Sequence, residues 1–275
     1  YIGCEMKDDG NYVMTEDEKN TFLQNEPQAE KYIHPYMMGK DFIARKSRYC
    51  LWLKDILPSE LKKYPKIMER VKNVREFRLS CPSPDTNHYA DKPTFPVRLR
   101  YYSEDRINPA LALPKVSSQN RRYIPMEVID ADVIAGSKLF LIPDISLYLF
   151  GVLTSNVHMA WMRTVCGRLK SDYSYASNVV YNTFPWPEPT DQQRKKIEQT
   201  AQAILDARAL YPDSSLADLY DELTMPPELR KAHRQNDMAV MQAYGFTKGS
   251  EAYKSEAACV AELMKRYQKL CEEQK

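Results

Sequence analysis

The sequence TSNVHMAWMRTVCGRLKSDYSYASNVVYNTFPWPEP, residues 154–189, decides how the rest of the chain is interpreted. It predicts a helix that is capped by Ser155 and ends at Gly167. Apolar or small residues recur there at the spacing that buries one face of a helix, namely at Val157, Ala160, Trp161, Thr164 and Val165. A packed helix therefore leads directly into a polar segment.

The polar segment after Gly167 alternates in character. Its charged and hydroxyl positions are Arg168, Lys170, Asp172 and Ser174, and they alternate with Leu169, Ser171, Tyr173 and Tyr175. In one extended strand, alternate side chains project to the same side. We expect the first set to point outward from the helix, as a row of donors and acceptors suited to a polar partner.

Composition places the chain among soluble globular proteins. Its 275 residues, 43% hydrophobic, suffice for a sizeable core and two domains. The net charge of +2 averages an acidic beginning and an arginine-rich middle third. The six cysteines show neither CxxC pairs nor zinc spacing, which favours reduced thiols in the cytoplasm over disulfides or a metal site. A membrane span and a secretory leader are not predicted.

The remaining patterns predict an α+β fold of short strands and helices, followed by an all-helical region. Thr15 and Ser59 are expected to cap helices, the second running through Val74, whereas residues 39–43 predict a turn and residues 79–95 a loop. Strands are predicted at residues 11–15, 48–53, 97–102, 111–116 and 140–142. After the stiff linker at residues 185–189, helices are expected to begin after Thr190, after Ser214 or Ser215, and at Thr224. The helix from Thr224 is expected to stop at Gly245. We predict domains at 1–187 and 188–275.

Two arginine-rich stretches carry the candidate binding chemistry before residue 154. The predicted strand at 97–102 presents Arg98 and Arg100 on one face. The strand at 111–116 leads into SSQNRRYIP, residues 117–125, a turn followed by paired arginines. Arginines with serine and asparagine donors are a common contact set for phosphate and guanine. A hairpin turn with a surface salt bridge is an equally consistent interpretation of these residues.

Longer runs of the sequence resemble a known family. The segments LPKVSSQNRRYIP (113–125) and YLFGVLTSNVHMAWMRTVCGRLKSDYSYASNVVYNTFPWPEP (148–189) resemble the target recognition domain of MmeI-like restriction-modification enzymes. GKDFI with RYCLW near the start, and SSLADLYDELTMPPELRKAH after residue 213, are similar to further parts of that family. The resemblance covers nearly the whole chain.

The resemblance implies a parent protein with three parts. Family members join a nuclease, an N6-adenine methyltransferase that uses S-adenosylmethionine, and a recognition domain. This chain has neither the Asn-Pro-Pro-Tyr/Phe motif nor a GxG cofactor loop. We therefore predict no catalytic, metal or cofactor residue here, and no activity alone. The start at Tyr1 suggests a piece of a longer protein. The implied partners are double-stranded DNA and the methyltransferase domain of the same parent chain.

By resemblance, Lys170, Asp172 and Ser174 are specificity determinants. Lysine donates to guanine O6 and N7, and aspartate accepts from cytosine N4, so together they can read one G·C pair. The alternative is a surface salt bridge of little energetic value. Arg163 and Arg168 are expected to grip the DNA backbone. The complete set of predicted DNA-binding residues is Lys115, Ser117, Ser118, Arg121, Arg122, Arg168, Lys170, Asp172 and Ser174.

The function predicted is sequence-specific recognition of duplex DNA, as the target recognition portion of an adenine methyltransferase and restriction enzyme. The helical tail is expected to brace the recognition domain. Two other functions remain open at this point. The chain is alternatively a separate specificity subunit acting in trans, or a protein-interaction scaffold without a role in DNA binding.

Overall fold

The computed structural model describes residues 1–97 and 108–273. The predicted basic face of Arg98 and Arg100 lies outside the described residues. The chain forms two compact units, the first comprising Tyr1–Ala110 with Ile129–Leu141 and the second Leu111–Val128 with Ile142–Lys275. The compact units are not continuous in sequence, whereas the predicted domains at 1–187 and 188–275 are. The predicted domain boundary therefore stays a prediction.

Helices and short strands alternate through the first part of the chain, and the end of the described chain is helical. The helices are α1 (Glu16–Asn25), α2 (Gly39–Ala44), α3 (Pro58–Leu61), α4 (Pro65–Ser80), α5 (Pro84–Asn87), α6 (Leu147–Leu153), α7 (Asn156–Val165), α8 (Asp191–Ala209), α9 (Leu216–Leu219), α10 (Pro227–Ala243) and α11 (Glu256–Glu273). The strands are β1 (Val13–Met14), β2 (Ile33–Met37), β3 (Arg48–Leu51), β4 (Ala110–Pro114), β5 (Val116–Ser117), β6 (Glu127–Ile129), β7 (Ile134–Ala135), β8 (Leu139–Ile142), β9 (Gly167–Leu169) and β10 (Asp172–Ser174). This is the α+β class predicted, with an all-helical C-terminal region.

The first unit is built on a sheet of order β1-β3-β2-β7. Strand β3 runs antiparallel to β1 and β2, while β2 and β7 are parallel. Helix α4 contributes Ile67, Val71 and Val74 to the apolar core of this unit. The fully buried Arg78, at the end of α4, donates hydrogen bonds to the carbonyls of Met6 and Lys7. A buried guanidinium thus joins the helix to the first residues of the chain.

Three sequence predictions in the first unit are wrong. The basic helix expected from Ser59 through Val74 is two helices, because Pro65 cannot continue α3 and instead begins α4. The turn expected at residues 39–43 is the helix α2. The loop expected at residues 79–95 contains the end of α4 and the short α5, in which Pro84 occupies the first turn, where its missing N–H costs nothing.

The second unit is centred on packed helices α6, α8 and α10. Gly151 lets α6 approach α8 closely, because a Cβ at this position would lie 2.7 Å from Cγ2 of Ile197. The buried side chain of Asn236 donates to the Gly151 carbonyl at 2.7 Å and accepts from the Thr200 hydroxyl at 3.0 Å. One amide from α10 therefore satisfies groups on both neighbouring helices.

Several predicted helix boundaries in the second unit are confirmed. Thr190 forms a capping box with Gln193 at the start of α8, and Ser215 caps α9. Gly245, with φ of +77°, follows the end of α10. Thr224 is not the start of α10, which begins at Pro227.

Candidate nucleic-acid interface

The N-terminus of α7 is fixed by a buried carboxylate. Ser155 accepts from the His158 N–H at 3.3 Å, as the sequence predicts for a cap. Asp237 of α10 accepts from the Asn156 N–H at 2.8 Å and from the Tyr123 hydroxyl at 2.6 Å. Burial raises the pKa of Asp237 to about 6. The free N–H groups of the helix are thus satisfied partly by a residue far away in sequence.

The body of α7 is core. Trp161 is 1% exposed, and its indole N–H donates to the Val180 carbonyl at 3.2 Å. The imidazole of His158 is fully buried with Nε2 at 3.2 Å from the Tyr175 hydroxyl, and burial lowers its pKa to about 3. Of the face predicted to be buried, Thr164 is exposed. The helix is a rigid support rather than a source of chemistry.

The polar segment after α7 is a β-hairpin. Strands β9 and β10 pair antiparallel, with Asp172 opposite Leu169 and Tyr173 opposite Arg168. The two intervening residues form the turn, and Lys170 takes a φ of +56° there, as such short turns require. The prediction of one extended strand is therefore wrong, and Lys170 lies at the tip of the hairpin.

The hairpin changes which side chains share a face. In one extended strand Arg168, Asp172 and Ser174 would lie together, but the two-residue turn pairs Arg168 with Tyr173 and so places it opposite to the other two. The Arg168 guanidinium lies 4.0 Å from the centre of the Tyr173 ring and donates to the Ser171 carbonyl at 3.2 Å. Asp172 and Ser174 share the other face.

The hairpin is joined to the turn at residues 117–120, here called the SSQN turn. Strand β10 pairs with β5, placing Tyr173 opposite Ser117, and the Tyr175 N–H donates to the Lys115 carbonyl at 2.8 Å. The Asp172 carboxylate then accepts from the backbone N–H of Gln119 at 3.2 Å. The structure thus brings two of the predicted binding segments, 53 residues apart at this bond, into one surface.

The serines of this turn differ in accessibility. Ser117 is 2% exposed, and its hydroxyl has no hydrogen-bond partner in the part of the chain that the structure describes. Ser118 is half-buried and accepts from the Asn120 N–H at 3.3 Å. Gln119 and Asn120, which are not in the set of predicted DNA-binding residues, are exposed between these serines and the paired arginines. Their amide side chains, which can both donate and accept hydrogen bonds, were the sequence signal that could have added them to the set.

Three arginines beside the turn have different partners. The half-buried Arg121 has its pKa lowered by burial, which the carboxylates of Asp221 and Asp172 oppose. Its side chain makes no hydrogen bond or ion pair within residues 1–97 and 108–273. Arg122 is exposed. Arg163, expected to grip DNA, instead forms a bidentate ion pair with Glu256 and donates to the Arg122 carbonyl.

A polar cavity of about 520 Å³ lies between these groups. Its lining includes Gln119, Arg121, Arg122, Arg163, Tyr173 and Glu222. Lys170, at the hairpin tip, makes no side-chain ion pair with any residue that the structure describes. The salt bridge between Lys170 and Asp172, the alternative interpretation of these two residues, is therefore not formed.

The described residues contain neither a metal-binding cluster nor a membrane-spanning helix. No group of three or more metal-ligating side chains lies together among them. None of the helices in the described ranges is long and apolar enough to cross a membrane.

The hairpin and the SSQN turn are hydrogen-bonded to each other, and the hairpin directly follows the buried helix α7. This arrangement is that of a recognition module. The chain belongs to the MmeI family: residues 1–188 match the MmeI target recognition domain, and residues 189–274 match the MmeI C-terminal domain. The chain is 34% identical over 272 residues to DNA methyltransferase A of Bacillus subtilis (strain 168). The aligned region covers 99% of this chain and 30% of that protein.

The fold is also that of a solved relative. The structure of the Type IIL restriction-modification enzyme MmeI in complex with DNA matches with a TM-score of 0.92 at 42% identity. That match covers 98% of this chain and 35% of the MmeI chain. The chain therefore spans about a third of the length of the proteins that it matches.

Proposed function

We propose that this chain recognises the target sequence of a DNA methyltransferase with restriction activity, and that the hairpin Gly167–Ser174 and the SSQN turn contact the bases. The observation that carries the proposal is the bond between Asp172 and the Gln119 backbone, which makes two polar loops one surface on a rigid helix. The relative solved with DNA supports the nature of the ligand.

The chemistry of the hairpin suits a G·C pair. Lys170 projects from the tip, and its ammonium group forms no ion pair with a described residue. This group can donate to guanine O6 and N7. Asp172 uses Oδ1 for Gln119, and its Oδ2 is left to accept from cytosine N4. Ser174 lies on the same face as Asp172 and adds a hydroxyl to this contact surface.

The other predicted residues take supporting roles. Arg121, Arg122, Ser118 and Lys115 lie on or beside the SSQN turn, where arginine and lysine would neutralise phosphates. Arg168 lies on the opposite face of the hairpin from Asp172, where a phosphate contact suits it better than a base contact. Ser117, which the sequence predicts to bind DNA, is only 2% exposed, and we assign it to support of the turn instead.

The reaction belongs to the remainder of the parent protein. In this proposal a methyltransferase domain of the same polypeptide binds S-adenosylmethionine and modifies adenine, at a position that the recognition domain sets. DNA binding by this chain alone would neutralise phosphates, so its affinity should fall steeply as salt rises. Titration with duplexes at low and moderate salt tests this, and the absence of salt-dependent binding would contradict a role in DNA recognition.

A charge exchange tests the assignment of the base contacts. In the full-length parent, Lys170→Glu with Asp172→Arg should change the methylated motif at one position while activity survives, because each contact discriminates by about 1–3 kcal/mol. Sequencing of methylated sites measures this. An unchanged motif at every position with surviving activity would show that these residues do not read bases.

Two further variants separate base reading from loop support. Asp172→Asn keeps an oxygen acceptor for the Gln119 N–H but exchanges the remaining acceptor for a donor, so it should relax or change specificity without disordering the turn. As a matched control, Lys72→Glu with Glu76→Lys exchanges the charges of a surface ion pair on α4. That control should leave the motif unchanged.

A further inference from the structure

Leu223 is the most exposed large apolar side chain in the described part of the chain, at 94%. It lies in the loop between α9 and α10. Single exposed apolar residues are ordinary on protein surfaces. Leu223 is different because hydrogen bonds fix its loop and because the loop borders the polar cavity.

The loop that presents Leu223 is well anchored. The Leu223 N–H donates to the Asp221 carboxylate at 2.9 Å. Arg230 holds Glu222 twice, by donating to its carboxylate at 2.7 Å and to its carbonyl at 2.8 Å. Met225 is buried, and its N–H donates to the Asp221 carbonyl at 2.9 Å. The exposure of Leu223 is therefore imposed by a bonded loop.

The same loop borders the candidate interface. Glu222 lines the polar cavity together with Arg121 and Arg122. Asp221 is close enough to Arg121 to act on its charge. The acidic groups of the loop are matched by cations, since Glu222 pairs with Arg230 and Asp221 lies near Arg121. Because both carboxylates have a cation nearby, they would repel an approaching polyanion less than unpaired carboxylates would.

We infer that Leu223 is a further DNA-contacting residue, which packs its apolar side chain against the bases beside the polar surface. This inference rests on the proposed function. DNA offers two apolar surfaces to such a side chain: the C5-methyl group of thymine in the major groove, and the face of a base at an opened step, into which leucine can insert. Both give affinity that does not depend on charge.

Binding of the 275-residue chain to duplexes enriched from a pool with a randomised centre tests the inference. Leu223→Ala should weaken binding roughly ten- to hundredfold, the equivalent of burying one leucine side chain, at every salt concentration. The slope of log affinity against log salt should stay that of the wild type, because no phosphate contact is lost. Arg121→Ala, in contrast, should reduce that slope by about one.

Controls separate this inference from the proposed function. Leu57→Ala, at an exposed leucine of the first compact unit, should bind as the wild type does. Replacing thymine by uracil in the duplex should reproduce the loss if the contact is to a methyl group, and should not if Leu223 opens a base step. Wild-type affinity for Leu223→Ala overturns the inference alone. Absence of salt-dependent binding by the wild type overturns the proposed function and this inference with it.

Discussion

The two ends of α7 are built in opposite ways. Its N-terminus is buried and bonded to α10 through Asp237, a residue 81 positions away from its partner Asn156. Its C-terminus continues into the hairpin Gly167–Ser174, which carries the exposed Lys170 at its tip. Substitutions at the first end should change the free energy of unfolding, and substitutions at the second should change what is bound. Stability and recognition are thus assigned to different ends of one helix.

The largest expected effect lies in the buried half. Trp161→Ala removes a fully buried indole and should lower the free energy of unfolding by about 3–5 kcal/mol, because the cavity left is only partly refilled. Leu169→Ala, at a hairpin side chain that is 59% exposed, should change it by less than about 0.5 kcal/mol. Urea titrations measure both. Equal losses would show that the hairpin is part of the core.

A pH effect of intermediate size is expected at the N-terminus of α7. Burial raises the pKa of Asp237 from 3.8 to about 6, so the carboxylate binds a proton more tightly in the folded chain than in the unfolded chain. The stability from this group is present below pH 3.8 and is lost as pH rises through about 6.

The size and the test of this pH effect follow from the same shift. The loss amounts to on the order of 2–3 kcal/mol. Asp237→Asn keeps an acceptor for the Asn156 N–H and should lack the dependence, so its stability relative to the wild type should rise between pH 4 and pH 7. Parallel pH profiles of unfolding for the two proteins would contradict this assignment.

Among the substitutions that remove a contact of α7, the smallest effect is expected where α7 meets α11. Glu256→Gln weakens the bidentate pair with Arg163, but Glu256 is half-exposed, so the free energy of unfolding should fall by only about 0.5–1 kcal/mol. High salt should reduce the difference. Thermal unfolding in low and high salt measures it, and a loss as large as that of Trp161→Ala would place this contact with the buried end of the helix.

Local signals allowed much of the helical structure to be predicted. Ser155, Thr190 and Ser215 each cap the helix that the sequence assigns to them, because a hydroxyl that accepts a backbone N–H needs only its near neighbours. The hairpin was missed because its turn uses Lys170 at a positive φ, where glycine or asparagine would have been the usual signal. Because of that turn, Arg168 lies on the face of the hairpin opposite to Asp172 and Ser174, and not on their face as predicted.

The candidate site was only partly predictable for a different reason. Lys170, Asp172 and the SSQN turn were identified separately, but their union depends on a bond across 53 residues. The pairing of Arg163 with Glu256 spans 93 residues and removes an arginine that the sequence assigns to DNA. Contacts at such separations are set by tertiary packing, and no periodicity or local motif in the chain encodes them.

The bond from Gln119 to Asp172 also constrains how specificity can change over evolution or by design. Lys170 is free to vary, since its side chain supports nothing else in the described structure. The bond to the Gln119 N–H is kept only if the side chain at position 172 offers an oxygen, and only a subset of amino acids does so. New target sequences should therefore be reached most easily through position 170, with position 172 exchanged among acceptors or changed together with the SSQN turn.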